Sequence, residues 1–329
     1  RKGYLQLNVP NAELKNEIFS YPEFTKFGKE MDSVFEKWKK ETITYTQSFE
    51  KGLKPKHEIH HISENLLKHY DNKQLTDKYA MYQHMMDYWN ETMQDDLYEL
   101  AAEGWKAGNV VKRIEKKTKR GDKEVIKQIP GMEGLEGLLI PPSLIIQEYF
   151  PGEQKEIDEL EAHAESLTAS MDELREEHGG EDGLLVNAMD EKGKISKKNL
   201  ATAIKELGKK DKDNADEYDI LQKYKKLLED EAYTKNGIAD AKKELEIKVI
   251  AQYPKLSIDE IKTIVIEKKW MHTMEERIRN EMDNISHRLT QRIKELAERY
   301  EAPLPKLSCE VDELTAKVER HLKQMNFKW

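Results

Sequence analysis

The sequence predicts a mainly α-helical protein: an N-terminal helical globule with a small β-hairpin, followed by long coiled-coil-like helices forming a helical bundle. Three observations carry this. Charged residues make up 36% of the 329 and apolar residues 37%, with only 10 prolines, a balance that favours long exposed helices over a thick two-layer core. Apolar residues recur at threes and fours over most of the chain. One stretch alone, between about residues 110 and 127, has strand character. The expected organisation is a helical region with a basic hairpin over 1–130, a glycine-rich linker over 131–142, and a helical, coiled-coil C-terminal domain over 143–329.

Residues 1–100 are the densest in aromatics, with Tyr21, Phe24, Phe27, Phe35 and Trp38 ahead of a helix expected near Glu58 that carries Ile59, Ile62, Leu66 and Tyr70. A second helix is expected through "LTDKYAMYQHMMDYWNETMQDDLYELAAEGW", with Tyr79, Tyr82, Met86, Trp89, Met93, Leu97 and Leu100 on one face. In "NVVKRIEKKTKRGDKEVIKQIPG", Val110-Val111 and Val125-Ile126 flank a turn at Arg120-Gly121-Asp122, which predicts a hairpin. From Lys112 to Lys127 it holds eight Lys or Arg against three Asp or Glu, a local +5 on a chain of net charge −9. Such a patch is either a solvated surface or a contact to phosphate through Lys112, Arg113, Lys116, Lys117, Lys119 and Arg120.

Beyond "GMEGLEGLLIPP", Ile157, Leu160, Ala164, Leu167, Met171 and Leu174 step by 3, 4, 3, 4, 3, a heptad seam that stops at "HGGEDG". Short helices are expected over 196–250. The last long helix carries Met271, Met274, Ile278, Met282, Ile285, Leu289, Ile293, Leu296 and Tyr300 in an eleven-residue repeat. Its stripe is expected to pack partly against the heptad helix and partly against another chain. "APLP" breaks it, Ser308 is expected to cap a final helix, and Val311, Leu314, Val318, Leu322 and Met325 line one face of that helix.

The chemistry-bearing motifs are incomplete. His57-Glu58-Ile59-His60-His61 fits the two-histidine helix of zinc peptidases, where the glutamate serves as general base on a metal-bound water. Glu91, the nearest third ligand, lies too far along the chain, and Lys54 and Lys56 oppose a dication, so no metal is expected. In "AMDEKGKISKKN" only Asp190 supplies a carboxylate at the four ligand positions an EF-hand loop needs. "LIPPSL" lacks the Asn and the aromatic that flank Pro-Pro in amino-methyltransferases. No catalytic and no cofactor-binding residue is expected.

Cys309, the single cysteine, excludes an internal disulfide framework and points to a cytoplasmic protein. No apolar run reaches the roughly 18 residues that a membrane span requires. The chain opens "RKGYLQLNVP", without an initiator methionine, and reads as a piece of a longer protein.

Three stretches together resemble one family. "DKYAMYQHMMDYWNETMQDDLYELAAEGW" is similar to the segment after the catalytic core in modification subunits of type I restriction-modification systems. "LEGLLIPPSLIIQEYF" with "EEHGGEDGLL", and "YPKLSIDEIKTIVIEKKWMHTM" through "LTQRIKELAERYEAPLPKL", resemble the C-terminal region of the same subunits. The likeness covers most of residues 55–329. It implies the C-terminal fragment of an S-adenosylmethionine-dependent adenine-N6 DNA methyltransferase that lacks the cofactor and Asn-Pro-Pro-aromatic motifs and is inactive alone. It further implies DNA, a specificity subunit and a restriction subunit as partners. Met274, Ile278, Met282, Ile285, Leu289, Ile293 and Leu296 are then the expected contact to the specificity subunit's helices.

Overall fold

The computed structural model describes residues 9–10, 13–120, 123–180, 183–190, 193–208, 210–211, 214–299 and 304–325; at 118–120, 123–125, 304 and 305 it describes the backbone alone. In chain order the helices are α1 (Leu14–Ser20), α2 (Pro22–Thr46), α3 (Pro55–His69), α4 (Lys78–Tyr88), α5 (Gln94–Glu103), α6 (Pro142–Tyr149) and α7 (Pro151–His178). They continue with α8 (Lys197–Leu207), α9 (Ala215–Gln252), α10 (Ile258–Lys262), α11 (His272–Arg299) and α12 (Leu304–Gln324). The strands are β1 (Val111–Arg113), β2 (Glu115–Arg120), β3 (Lys123–Gln128) and β4 (Leu135–Gly137). The protein is mainly α, with two small antiparallel two-stranded sheets among the described residues. No helix is long and apolar enough to cross a membrane among those residues.

The chain divides into two compact units: Arg1–Ala102 with Ile266–Trp329, and Glu103–Val265 between them. In the first, Pro22 and Pro55 open α2 and α3 at the helix start, where a missing N–H costs nothing. Asp77 caps α4 by accepting the Tyr79 N–H at 2.9 Å. Trp38, Ile62, Leu66, Tyr70, Met93 and Leu97 form a core with Trp270, Met271 and Met274 from the far end of the sequence.

The expected helix over 75–105 is interrupted by a π-helical turn, Trp89–Met93. Leu97 and Leu100 are buried as the spacing predicts. On the N-terminal side the buried residues are Met81, Met85 and Tyr88, whereas Tyr79 is 64% exposed. The wide turn breaks the strict 3.6-residue repeat, so a face extrapolated backwards through it comes out misplaced.

In the second unit the heptad seam pairs with α9, antiparallel: Glu153 meets Lys248, Thr168 meets Glu231, and Glu161 meets Lys242. Ile157, Ala164, Leu167, Met171 and Leu174 are buried, as their heptad predicts. The expected series of short helices beyond 196 is instead α8 followed by one 38-residue helix, α9. No proline interrupts it before Pro254, and burial against α7 offsets the roughly 1 kcal/mol cost of Gly237 in its middle. α9 occupies the heptad face. A satellite core forms where the tip of the pair meets α8, around Leu185, Leu200, Leu221 and Tyr224.

The glycine-rich stretch also holds structure that composition did not suggest. β4 lies there and pairs with β1, setting Val111 against Gly137. Gly137 is pressed close: a Cβ there would sit 1.9 Å from the Ile140 carbonyl oxygen and 2.7 Å from the Tyr253 hydroxyl. That hydroxyl donates to the same carbonyl at 2.7 Å. The Asn109 side chain donates to the Tyr253 and Leu256 carbonyls, satisfying the end of α9. Ser257 and Glu260 then form a capping box that opens α10.

Candidate functional site

The basic segment folds as the β2–β3 hairpin, with Lys116 opposite Lys127, Thr118 opposite Val125 and Arg120 opposite Lys123. Its turn at Gly121-Asp122 lies outside the described residues. Side chains alternate between the faces of a strand, so this register sorts the charges. Lys116 and Lys127, directly opposite each other, share one face. The other carries Glu115 opposite Gln128 and Lys117 opposite Ile126; the side chains at 118–120 and 123–125 lie outside the described ones. Lys116, Lys117 and Lys127 are exposed.

The six residues expected at phosphate therefore separate. Lys116 lies opposite Lys127, and Lys117 lies on the other face. The side chains of Lys119 and Arg120 lie outside the described ones. Lys112 is exposed on β1, paired in register with Glu136. Arg113 serves the fold: its guanidinium pairs with Glu246 of α9 and donates to the carbonyls of Ile129 and Gly131. Together with the Ile129 N–H donating to Ile114, it fixes the hairpin's base. Sequence reasoning did not single out Lys127, which counting by twos along the two arms would have placed beside Lys116. An open hollow of about 620 Å³ beside the base is lined by Lys112, Arg113, Glu115 and Glu136 among others, and the mixture of signs makes it a poor anion cradle.

The expected partner stripe on α11 also divides. Met274, Ile278 and Ile285 are buried within their own unit, where α11 packs on α1 and α4. They are core, which corrects the expectation that they face another chain: periodicity defines a face but not its occupant. Met282, Leu289 and Ile293 are half-buried and Leu296 is exposed. Tyr300 lies outside the described residues.

The two-histidine motif sits in the first turns of α3, with His57, His60 and His61 exposed. Glu58 accepts the Tyr45 hydroxyl, and the His61 ring stacks on Tyr45 with centroids 4.0 Å apart. Burial, then the hydrogen bond to the Glu58 carboxylate, pushes the Tyr45 phenol up to about 12. Glu91 pairs with Arg277. No group of three or more potential ligands that could hold a metal occurs among the described residues.

One buried ionic group stands out. Asp96 of α5 is 3% exposed and accepts from Lys269 Nζ and Trp270 Nε1, each at 2.8 Å. Both donors lie in a second π-helical stretch, Thr263–Met271. Burial pushes the Asp96 carboxyl above its ordinary range, and Lys269 and Trp270 pull it part of the way back. The chain matches no family model, no curated protein and no solved structure.

Proposed function

We propose that this chain is the C-terminal assembly module of the modification subunit of a type I restriction-modification system, a site-specific adenine-N6 DNA methyltransferase. In this reading it packs on the specificity subunit and helps hold DNA. The observation that carries the reading is the exposed Lys116–Lys127 pair, directly opposed on the β2–β3 hairpin of a chain of net charge −9. That like-charge pair destabilises the free hairpin by about 0.2–1 kcal/mol. A phosphate laid between the two replaces the repulsion with two attractions and releases counterions.

The resemblance in "LEGLLIPPSLIIQEYF" and the stretches named with it favours DNA among polyanions. S-adenosylmethionine belongs to the full subunit, since neither cofactor motif occurs here. The part of α11 left for the specificity subunit's helices is Met282, Leu289, Ile293 and Leu296, and the restriction subunit is the third partner of the complex.

The test is DNA-binding anisotropy on the assembled modification–specificity complex across a salt series. Lys116→Glu with Lys127→Glu should weaken binding and flatten the log–log salt slope by about 0.9 for each phosphate no longer neutralised. Lys117→Glu, on the opposite face, should change the slope less. An unaltered slope in the double variant sinks the reading. The long α7–α9 pair, with Tyr233 82% exposed, favours a second reading as a stand-alone helical scaffold. A scaffold would neither co-purify with a specificity subunit nor respond to these reversals.

A further inference from the structure

We propose that α12 is a self-association element, pairing antiparallel with α12 of a second copy of this chain. Its apolar seam faces solvent: Leu307 is 43% exposed, Val311 60%, Leu314 58%, Val318 56% and Met325 73%. An open hollow along the helix is lined by Val311, Leu314, Val318 and Leu322. Leu307, Val311, Leu314 and Val318, left in water at three- and four-residue spacing with Met325 a heptad further on, form a seam that lacks its other half.

Two features identify the missing half as a second copy. Val311 and Val318 occupy heptad position a and Leu314 position d, and β-branched a residues with leucine at d favour two strands. The flanking charges then choose the direction. At the g positions stand Glu310 and Lys317, of opposite sign; at the e positions stand Ser308, Thr315 and Leu322, which carry none. A parallel pair sets g against e and forms no ion pair. An antiparallel pair sets g against g, so Glu310 meets Lys317 of the second copy, twice by symmetry. The same register layers Val311 on Leu314 and Leu307 on Val318 while forming both ion pairs. Glu310, Asp312 and Glu313 against Lys306 also make the first half of the helix net acidic, and Lys317, Arg320 and Lys323 against Glu319 make the second half net basic. Head-to-tail pairing lays one upon the other.

Sedimentation of the full chain over a concentration series tests this. The chain should pass from 38.6 kDa to twice that mass as concentration rises. Leu314→Asp should weaken the dimer on the order of a hundredfold by placing two carboxylates in the seam. At a concentration where the parent is monomeric its melting curve should not move, because Leu314 belongs to no core. Glu310→Lys should weaken the dimer by about tenfold, and adding Lys317→Glu in the same chain should restore it. A chain that stays monomeric at every concentration overturns the proposal, as does a dimer that survives Leu314→Asp. A dimer abolished by Leu314→Asp but indifferent to both charge variants overturns the antiparallel pairing and leaves a parallel coil or a different seam.

Discussion

Asp96 shows how a single residue can join segments distant in the sequence. Its carboxylate lies 173 positions from Lys269, and nothing in "MQDDLYEL" distinguishes it from its neighbour Asp95. Truncating the partner is the informative change. Lys269→Met leaves a buried, unpaired carboxylate and should cost about 3–5 kcal/mol at neutral pH. Removing the lysine also removes what holds the Asp96 carboxyl down, so its folded-state value climbs further above the unfolded one. A raised acid binds its proton more readily when folded. The variant's stability is therefore fully present below the ordinary aspartate range and is lost as pH rises through the folded value. Melting of the variant against the parent from pH 4 to 8 should show a deficit that grows with pH, whereas a constant deficit would rule this account out. The two-histidine motif is the converse case. It is conspicuous in sequence, yet it is spent on a tyrosine stack and a carboxylate hydrogen bond.

At the level of elements, legibility followed periodicity. The α7 heptad and the buried run from Met274 to Ile285 could be read because one apolar face repeated without interruption. The face of α4 could not, because the π-helical turn lies between it and the residues that fix the phase. β4 escaped notice because a three-residue strand in "GLEGLL" has too little pattern to signal itself. Its close fit rests on backbone rather than side chains. Gly137→Ala would drive a methyl group into the Ile140 carbonyl and displace the Tyr253 hydroxyl that bonds there. Because carbonyl oxygens cannot rotate aside, we expect a loss of about 3 kcal/mol or more in denaturant unfolding, more than a surface Gly→Ala change would give. The hairpin was legible as a basic segment, but setting Lys116 against Lys127 depends on the register of β2 on β3.

At the scale of the whole molecule, the sequence indicated a helical protein but not that its first compact unit is built from both ends of the chain. Sequence distance hides such closure, because the contacts that prove it join Asp96 and the Lys39 side chain to residues beyond 266. A chain ending at Val265 would lack Trp270, Met271, Met274 and Ile278, all buried in that unit's core. It should lose the cooperative melting of the first unit and keep that of residues 103–265. Calorimetry of the shortened chain beside the segment 103–265 checks this, and two intact transitions in the shortened chain would contradict it.

This interleaving also sets an order in time. On a ribosome adding roughly 5–20 residues per second, the stretch from Glu103 to Val265 takes roughly 8–30 s to emerge. During that interval α2 to α5 are already made, with Met81, Met85 and Leu97 still without the helix that completes their core. The middle unit, contiguous in sequence, can close while it is being synthesised. The outer one must wait, and over that wait its exposed methionines and aromatics are the surface a chaperone would meet first.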